Sequence, residues 1–156
     1  MVIELANSKE KQQILKYDKH IPSSALGECI YNNFVYVLKD DSIKNGGVNH
    51  RVKNPVVGVL RYSMFWQTIP MLDLIYIDEE YQHKGYGTQM MAYWEEHMKR
   101  MGYKHLMTST QADETAWKFY EKIGFHKAGS FSCMVPMVGV EPTRYRYHGI
   151  LRSARQ

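Results

Sequence analysis

Two glycines lie where an apolar stretch gives way to a helical pattern, and the residues around them could bind an anion. Residues 82–88 read Gln-His-Lys-Gly-Tyr-Gly-Thr and follow a short acidic turn. A helix that begins here presents unpaired backbone N–H groups and the positive end of its dipole. Gly85 and Gly87 leave room for a phosphate, and Lys84 adds a cation. The alternative is a tight turn that needs glycine only for its backbone angles.

Two common phosphate loops do not match this spacing. A P-loop has four residues between its first two glycines and continues Gly-Lys-Ser/Thr, and a dinucleotide fingerprint reads Gly-x-Gly-x-x-Gly. Residues 82–88 contain neither pattern. The predicted chemistry is therefore anion binding at a helix N-terminus of another type.

The elements on either side of this stretch follow from hydrophobic periodicity. Residues 56–65 and 71–78 are rich in β-branched and aromatic residues and are separated by a short turn, which predicts a hairpin. Residues 86–101 have a helical period. The apolar face of that helix is expected to comprise Met91, Trp94, Met98 and Met101. The anion-binding stretch is thus predicted to join the second hairpin strand to a long helix.

Further elements extend the pattern in both directions. Asn7 and Glu10 have the spacing of a capping box that opens a helix to about Tyr17. The other predicted elements are a helix after Pro22, a strand at 34–38, a surface loop at 40–55, a strand at 105–110 and a helix from Asp113 to Ile123. This order predicts an α/β arrangement whose ligand lies at the carboxyl end of a central strand.

Length and composition restrict the class of protein. A chain of 156 residues fits one domain, and 44% hydrophobic with 23% charged residues exclude disorder for its body. The apolar runs are far shorter than the ~20 residues of a membrane helix, and the N-terminus lacks a signal-peptide layout. We therefore expect a cytoplasmic protein with no membrane partner. Cys29 and Cys133 lie far apart, so no metal site or disulfide framework is predicted.

The charge is concentrated at the C-terminal end. Residues 144–156 hold four arginines and no acidic residue, which accounts for the whole formal net charge of +4. The body therefore shows no basic stripe, and nucleic-acid binding is not expected. We predict a single domain over 1–143 and a basic tail over 144–156. Across the start of this tail, residues 143–148 alternate in the pattern of an edge strand, and an unstructured stretch is expected from Gly149.

Two motifs in this order resemble the GCN5-related N-acetyltransferase (GNAT) family. The family motif Gln/Arg-x-x-Gly-x-Gly/Ala is matched by Gln82, Gly85 and Gly87. A second motif is matched downstream by Ala116, Phe119, Tyr120, Gly124 and Phe125. The resemblance implies an α/β (α+β) fold with a mixed, mainly antiparallel central sheet and helices on both faces. Asp113 stands where the family usually has Asn.

The resemblance also implies acetyl-CoA as a cosubstrate. In the family the motif strand splays from its neighbour, and its free backbone groups bind the pantetheine arm, while the helix start binds the diphosphate. The residues implied to bind acetyl-CoA here are Ile75, Ile77, Gln82, His83, Lys84, Gly85, Tyr86, Gly87, Thr88, Asp113, Ala116 and Phe119.

Catalytic roles follow from the same resemblance. Tyr120 is implied to give a proton to the departing thiolate; the alternative is an aromatic residue on the core face of its helix. Asp73 has the strand parity of Ile75 and Ile77, so its carboxylate is expected on their face. There it could take the proton of the amine or only attract a cationic amine. Asp18, His20 and Glu28 are weaker candidates for the base.

The predicted function is acetyl-CoA-dependent N-acetylation of a primary amine by direct attack in a ternary complex. Its partners are then acetyl-CoA and an amine-bearing acceptor. The alternative is a non-catalytic CoA-binding sensor or interaction module. A homodimer is left open by the sequence.

Overall fold

The computed structural model describes residues 1–42, 54–111, 115–131 and 147–153. These residues form a seven-stranded sheet with helices packed on it. The strands are β1 (Val2–Leu5), β2 (Val35–Lys39), β3 (Val56–Phe65), β4 (Ile69–Ile77), β5 (His105–Gln111), β6 (His126–Phe131) and β7 (Tyr147–Ser153). The α-helices are α1 (Lys11–Ile14), α2 (Ser23–Tyr31), α3 (Tyr86–Arg100) and α4 (Ala116–Lys122).

The sheet is mixed and mainly antiparallel. Its strand order is β1-β2-β3-β4-β5-β7-β6. Each neighbouring pair is antiparallel except β4 and β5, which run parallel. This arrangement confirms the predicted fold class. The parallel pair sits in the middle of the sheet, where a crossover through α3 connects the two strands.

Alternation along β2 explains why helices cover both faces. Tyr36 and Leu38 belong to one buried cluster, which also contains Trp94 and neighbouring methionines of α3. Val35 and Val37 belong to a second cluster with residues of α1 and α2. Successive residues of a strand point to opposite faces. The first cluster therefore lies on the α3 side of the sheet and the second on the α1/α2 side.

Most predicted elements are confirmed, with local corrections. The hairpin and α3 lie where expected, and the Asn7 capping box is present. The first helix is shorter than predicted: a 3-10 turn at Ser8–Glu10 leads into α1, which ends at Ile14. Met101 is 56% exposed, so its predicted place on the inner face is wrong. The α-helix ends one residue earlier, and Gly102 turns away with φ 92°.

Three strands were not predicted as the structure has them. No element was expected at β1, whose four residues are too few for a clear pattern, or at β6. The unstructured stretch expected from Gly149 is wrong for residues 149–153, which belong to β7. The edge position is also wrong, because β7 pairs with β5 on one side and β6 on the other. Residues 43–53 of the predicted loop and the 143/144 domain boundary lie outside the described residues.

Gly58 of β3 is tightly packed between its neighbouring strands and Met90 of α3, and alanine is expected to be poorly tolerated there. A Cβ at this position would stand 2.7 Å from Ile77 Cδ1 and 3.1 Å from Leu38 Cβ. We expect Gly58→Ala to lower the free energy of unfolding by about 1–3 kcal/mol through overpacking. Denaturant unfolding would measure this loss.

Gly27→Ala is the matched control. Gly27 lies within helix α2, and a Cβ there would stand 3.1 Å from Nζ of Lys11, the end of a flexible side chain that can move away. Helix propensity there favours alanine by up to about 1 kcal/mol. Equal stability of the two variants would show that the Gly58 contact is not tight.

Candidate active site

The connection between β4 and α3 presents backbone donors. β4 ends at Ile77, a 3-10 turn follows at Glu79–Tyr81, and α3 begins at Tyr86. Gly85 occupies the N-cap position with a left-handed backbone conformation, φ 83°. Because glycine has no side chain, no side-chain hydrogen bond caps the helix at this position. The first turn of a helix has N–H groups without helical acceptors. This end of α3 is therefore suited to an anion.

A pocket of about 530 Å³ opens at this helix terminus. It brings together eight of the predicted acetyl-CoA residues: Ile77, Gln82, His83, Gly85, Tyr86, Gly87, Thr88 and Phe119. Two further lining residues, Tyr81 and Lys122, were missed by the sequence analysis. Lys122 follows Phe119 by three positions on α4, so the i,i+3 helical rule could have found it. It adds a cationic side chain to a pocket formed around a helix N-terminus.

Four of the predicted acetyl-CoA residues do not line the pocket, and neither do the predicted catalytic residues Asp73 and Tyr120. Lys84 instead donates a hydrogen bond to the Glu80 carbonyl at 2.8 Å, and Ala116 is exposed on α4. Ile75 lies two residues before Ile77 on β4 and packs against the α3-side core. Asp113, with its predicted cap and cofactor contact, lies outside the described residues.

Gly87 shows that the pocket wall is open toward α4. A Cβ built on it would meet Phe119 Cζ at 3.7 Å and Ile77 Cγ1 at 3.9 Å. These are ordinary van der Waals distances, so glycine is not required here for packing. The absence of a side chain at this position leaves space between the N-terminus of α3 and Phe119.

Tyr81 forms a neutral part of the wall. Its hydroxyl donates a 2.7 Å hydrogen bond to Asp40, a largely buried carboxylate at the end of β2. That hydrogen bond raises the pKa of Tyr81 to about 12. The phenol therefore stays protonated at neutral pH and adds no negative charge beside the helix terminus.

The parallel strands separate beside the pocket. In the part of the chain that the structure describes, β4 pairs with β5 only through Met71 with Met107 and Leu72 with Thr108. Residues 73–77 of β4 continue past this point toward the pocket without a ladder on the β5 side. Backbone groups along this edge can pair with an extended ligand, as with an added strand.

A β-bulge at Asp73 changes the predicted direction of its side chain. Arg61 pairs with Leu74, and the next residue of β3, Tyr62, pairs with Leu72, so Asp73 is the extra residue. A bulge of this kind breaks the alternation of side chains. The expectation that Asp73 shares the face of Ile75 and Ile77 is therefore wrong.

The Asp73 carboxylate points to the α1/α2 side and joins a polar cluster. Arg61 Nη1 donates to Asp73 Oδ2 at 2.9 Å, and Ser63 Oγ donates to Asp73 Oδ1 at 2.9 Å. Arg61 Nε also donates to the buried Asp18 at 2.7 Å. We call Asp18, Arg61, Ser63 and Asp73 the Asp73 cluster. Two carboxylates share one guanidinium, so the formal net charge of the Asp73 cluster is negative.

Burial raises the pKa of the Asp73 carboxyl above its usual range. The hydrogen bond from Ser63 and the charge of Arg61 oppose this shift, and Asp18 adds to it. Burial raises the pKa of the Cys29 thiol on α2, and the charges of Arg61, Asp73 and Asp18 also act on this group. Both carboxylates are bound by Arg61, but the Asp18 side chain is only 2% exposed against 21% for Asp73, so Asp18 is the less accessible of the two to an amine. No contact connects His20 or Glu28 side chains with the cluster among the described residues.

Tyr120 lies inside the α3-side core at the end of α4. Its ring makes edge contacts with Phe119 at 5.3 Å and Phe125 at 5.7 Å between centroids, and the residue is 7% exposed. Both the packing role and the catalytic role therefore remain compatible with its position.

Comparison with known proteins identifies the family. The sequence profile described as the acetyltransferase (GNAT) family matches residues 13–125, well over half of the chain. The chain belongs to this family. The match confirms the resemblance seen in the two motifs and the prediction of a GNAT-type acetyltransferase. A search of curated protein sequences finds no significant match.

Solved structures share the GNAT fold at low sequence identity. The ribosomal-protein-S18-alanine N-acetyltransferase from Escherichia coli has a TM-score of 0.75 and 13% identity, covering 99% of this chain and 94% of that one. An N-acetyltransferase from Staphylococcus aureus Mu50 has a TM-score of 0.73 and 17% identity, covering 99% and 98%. A Bacillus anthracis str. Ames acetyltransferase assigned to streptothricin, solved with acetyl coenzyme A, has a TM-score of 0.57 and 20% identity, covering 76% and 61%.

The described residues contain neither a membrane-spanning helix nor a metal-binding group. Across residues 1–42, 54–111, 115–131 and 147–153, no helix has the length and apolar character needed to cross a bilayer. In the same ranges, no three His, Cys, Asp or Glu side chains are grouped to hold a metal ion.

Proposed function

We propose that this GNAT chain transfers the acetyl group of acetyl-CoA to a primary amine by direct attack in a ternary complex. The observation that carries the proposal is the position of the pocket. It joins the free N-terminus of α3 to Ile77, the last residue of the unpaired β4 edge. A ligand with an anionic end and an extended polar arm matches those two surfaces in order.

The anionic end corresponds to the diphosphate. Backbone N–H groups of residues 83–88 and the hydroxyl of Thr88 bind it, in the way helix N-termini bind phosphate, whereas the Gln82 N–H already donates to the Glu79 carbonyl. Lys122 supplies a cation from the opposite wall. Gly87 provides the open space, which supports the fit of this residue set to a bulky phosphate ligand. Asp113, Lys84 and Ala116 stay predictions as further contacts.

The arm corresponds to the β4 edge. Neither Ile75 nor Ile77 pairs with β5, and Gln82 Nε2 donates a 2.8 Å hydrogen bond to the Ile77 carbonyl. The backbone of Ile75 and the N–H of Ile77 are therefore the groups that pair with the arm. Phe119 flanks the arm from α4. Acetyl-CoA supplies the activated acetyl thioester, and the chain positions it between β4 and β5.

Proton transfer involves two residues on different elements. Asp73 accepts the proton of the attacking amine, directly or through water, while a backbone N–H near Ile77 stabilises the oxyanion. Tyr120 gives a proton to the departing thiolate. Burial raises the pKa of Asp73 above its usual range, which makes its carboxylate a stronger base, and the negative charge of the Asp73 cluster attracts a cationic amine.

Gly87→Asp tests the anion site at the centre of the proposal. The backbone of Gly87 is helical and its surroundings are open, so the variant should fold, and an acid in the first helical turn is favourable. We expect acetyl-CoA to bind about 10- to 100-fold more weakly, because a carboxylate beside the diphosphate costs roughly 1–4 kcal/mol. Calorimetric titration measures this change.

Gly87→Ala is the control for bulk without charge. It should lose only a few-fold in affinity, with thermal stability equal to or above that of the unchanged chain. If the unchanged chain gives no heat with acetyl-CoA, the proposed function is wrong. If Gly87→Asp binds as tightly as the unchanged chain, the diphosphate does not lie at this helix terminus.

The cytoplasmic location and a homodimer remain predictions from the sequence. The acceptor is proposed only as a primary amine. An amine panel read out by release of the CoA thiol would narrow it.

A further inference from the structure

Thr110 of β5 has a buried hydroxyl without a hydrogen-bond partner in the described part of the chain. The residue is 4% exposed, and its Oγ1 finds no donor or acceptor there. Buried hydroxyls almost always have partners, and leaving one unpaired destabilises a protein. Thr108, two positions earlier on the same strand, is equally buried, but its Oγ1 donates to the Leu72 carbonyl at 3.3 Å. The two threonine hydroxyls thus differ in whether a β4 carbonyl lies within hydrogen-bonding distance.

The separation of β4 from β5 explains the difference. β5 pairs with β7 without interruption over His105–Gln111, so Thr108 and Thr110 point to the same face. Leu72, which accepts the Thr108 hydrogen bond, is also the last β4 residue paired with β5. Two residues further, about 6.6 Å along the strand, β4 is no longer hydrogen-bonded to β5. Thr110 therefore lies level with the unpaired part of β4, where a β4 carbonyl would otherwise accept its hydrogen bond.

We propose that Thr110 Oγ1 donates a hydrogen bond to a carbonyl oxygen of the acetyl-pantetheine arm of acetyl-CoA. This rests on the proposed function, in which that arm fills the gap between β4 and β5. The arm carries amide carbonyls and one thioester carbonyl, and either type replaces the β4 carbonyl that Thr108 uses. Thr110 is then a binding residue of the cosubstrate, on the strand opposite Ile75 and Ile77.

Thr110→Val tests the proposal, because valine keeps the shape and removes the hydroxyl. In the free protein the variant loses no hydrogen bond, so its melting temperature should be unchanged or higher. Its affinity for acetyl-CoA, measured by calorimetry, should fall about tenfold. If CoA loses affinity equally, the acceptor is an amide of the arm. If only acetyl-CoA does, the acceptor is the thioester carbonyl.

Thr108→Val is the matched control. It removes a hydroxyl that already has a partner, so its melting temperature should fall by about 2–4 °C, with acetyl-CoA affinity nearly unchanged. The proposal is overturned if Thr110→Val binds acetyl-CoA as tightly as the unchanged chain does. It is also overturned if Thr110→Val melts several degrees lower, since the hydroxyl would then already have an internal partner. An unchanged chain that fails to bind acetyl-CoA would instead contradict the proposed function.

Discussion

Arg61→Met is expected to lower the free energy of unfolding by about 3–5 kcal/mol at neutral pH. The guanidinium bonds Asp18 and Asp73 at once, and the Asp18 side chain is only 2% exposed. Methionine leaves a carboxylate buried without its counter-ion, and that uncompensated charge is the main cost. Protonation neutralises the carboxyls, so the loss should shrink as the pH falls. Denaturant unfolding at neutral and acidic pH would measure both effects.

Arg100→Met provides the same substitution at an exposed ion pair. Arg100 Nε stands 3.9 Å from Glu96, and both side chains are more than half exposed. Such pairs contribute little, so a change of at most about 0.5 kcal/mol is expected. Similar, small losses for the two variants would mean that the charge of Arg61 stabilises the fold no more than the charge in an exposed ion pair does.

Local sequence signals were sufficient for the elements that surround the pocket. The glycines before α3, the helical period of residues 86–100 and the β-branched hairpin each depend on neighbours within one or two turns. Those signals located the helix N-terminus and most residues that line the pocket. Lys122 is not one of the residues that match the family motif around Tyr120, and only its i,i+3 spacing from Phe119 relates it to the pocket.

Features that depend on pairing between distant strands could not be read from the chain. The bulge at Asp73 exists only because Arg61 and Tyr62 of β3 pair with Leu74 and Leu72. Strand parity alone gave the wrong face. Similarly, β7 fits between β5 and β6, a placement that no local pattern in a basic segment predicts.

The bulge also separates the two halves of the proposed chemistry. Ile75 and Ile77 face the α3 side, whereas the Asp73 carboxylate faces the α1/α2 side with Arg61 and Ser63. A thioester held along β4 would thus meet the amine from the opposite face of the sheet. The separation keeps the negative Asp73 cluster away from the diphosphate and leaves it free to attract a cationic acceptor.

Tyr120→Phe is expected to lower kcat about 100-fold while leaving acetyl-CoA affinity nearly unchanged. In the proposed reaction an N–C bond forms, the C–S bond breaks, and the phenol supplies the proton that the departing sulfur needs; general acids contribute roughly 10²–10⁴-fold. Phenylalanine keeps the edge contacts with Phe119 and Phe125, so the fold should persist. Steady-state rates with an active amine, together with calorimetric affinities, would measure the split.

Tyr62→Phe is the control that shows whether the loss of kcat is specific to the Tyr120 hydroxyl or follows the removal of any buried tyrosine hydroxyl. Tyr62 is 3% exposed in the same core, and its hydroxyl donates a long 3.5 Å hydrogen bond to the Asn33 carbonyl. Its removal should leave kcat unchanged. A full rate for Tyr120→Phe would assign Tyr120 to packing and require another proton source for the sulfur. If the unchanged chain binds acetyl-CoA yet no amine raises thiol release, the pocket belongs to a CoA-binding module, because cofactor affinity alone does not require a proton donor.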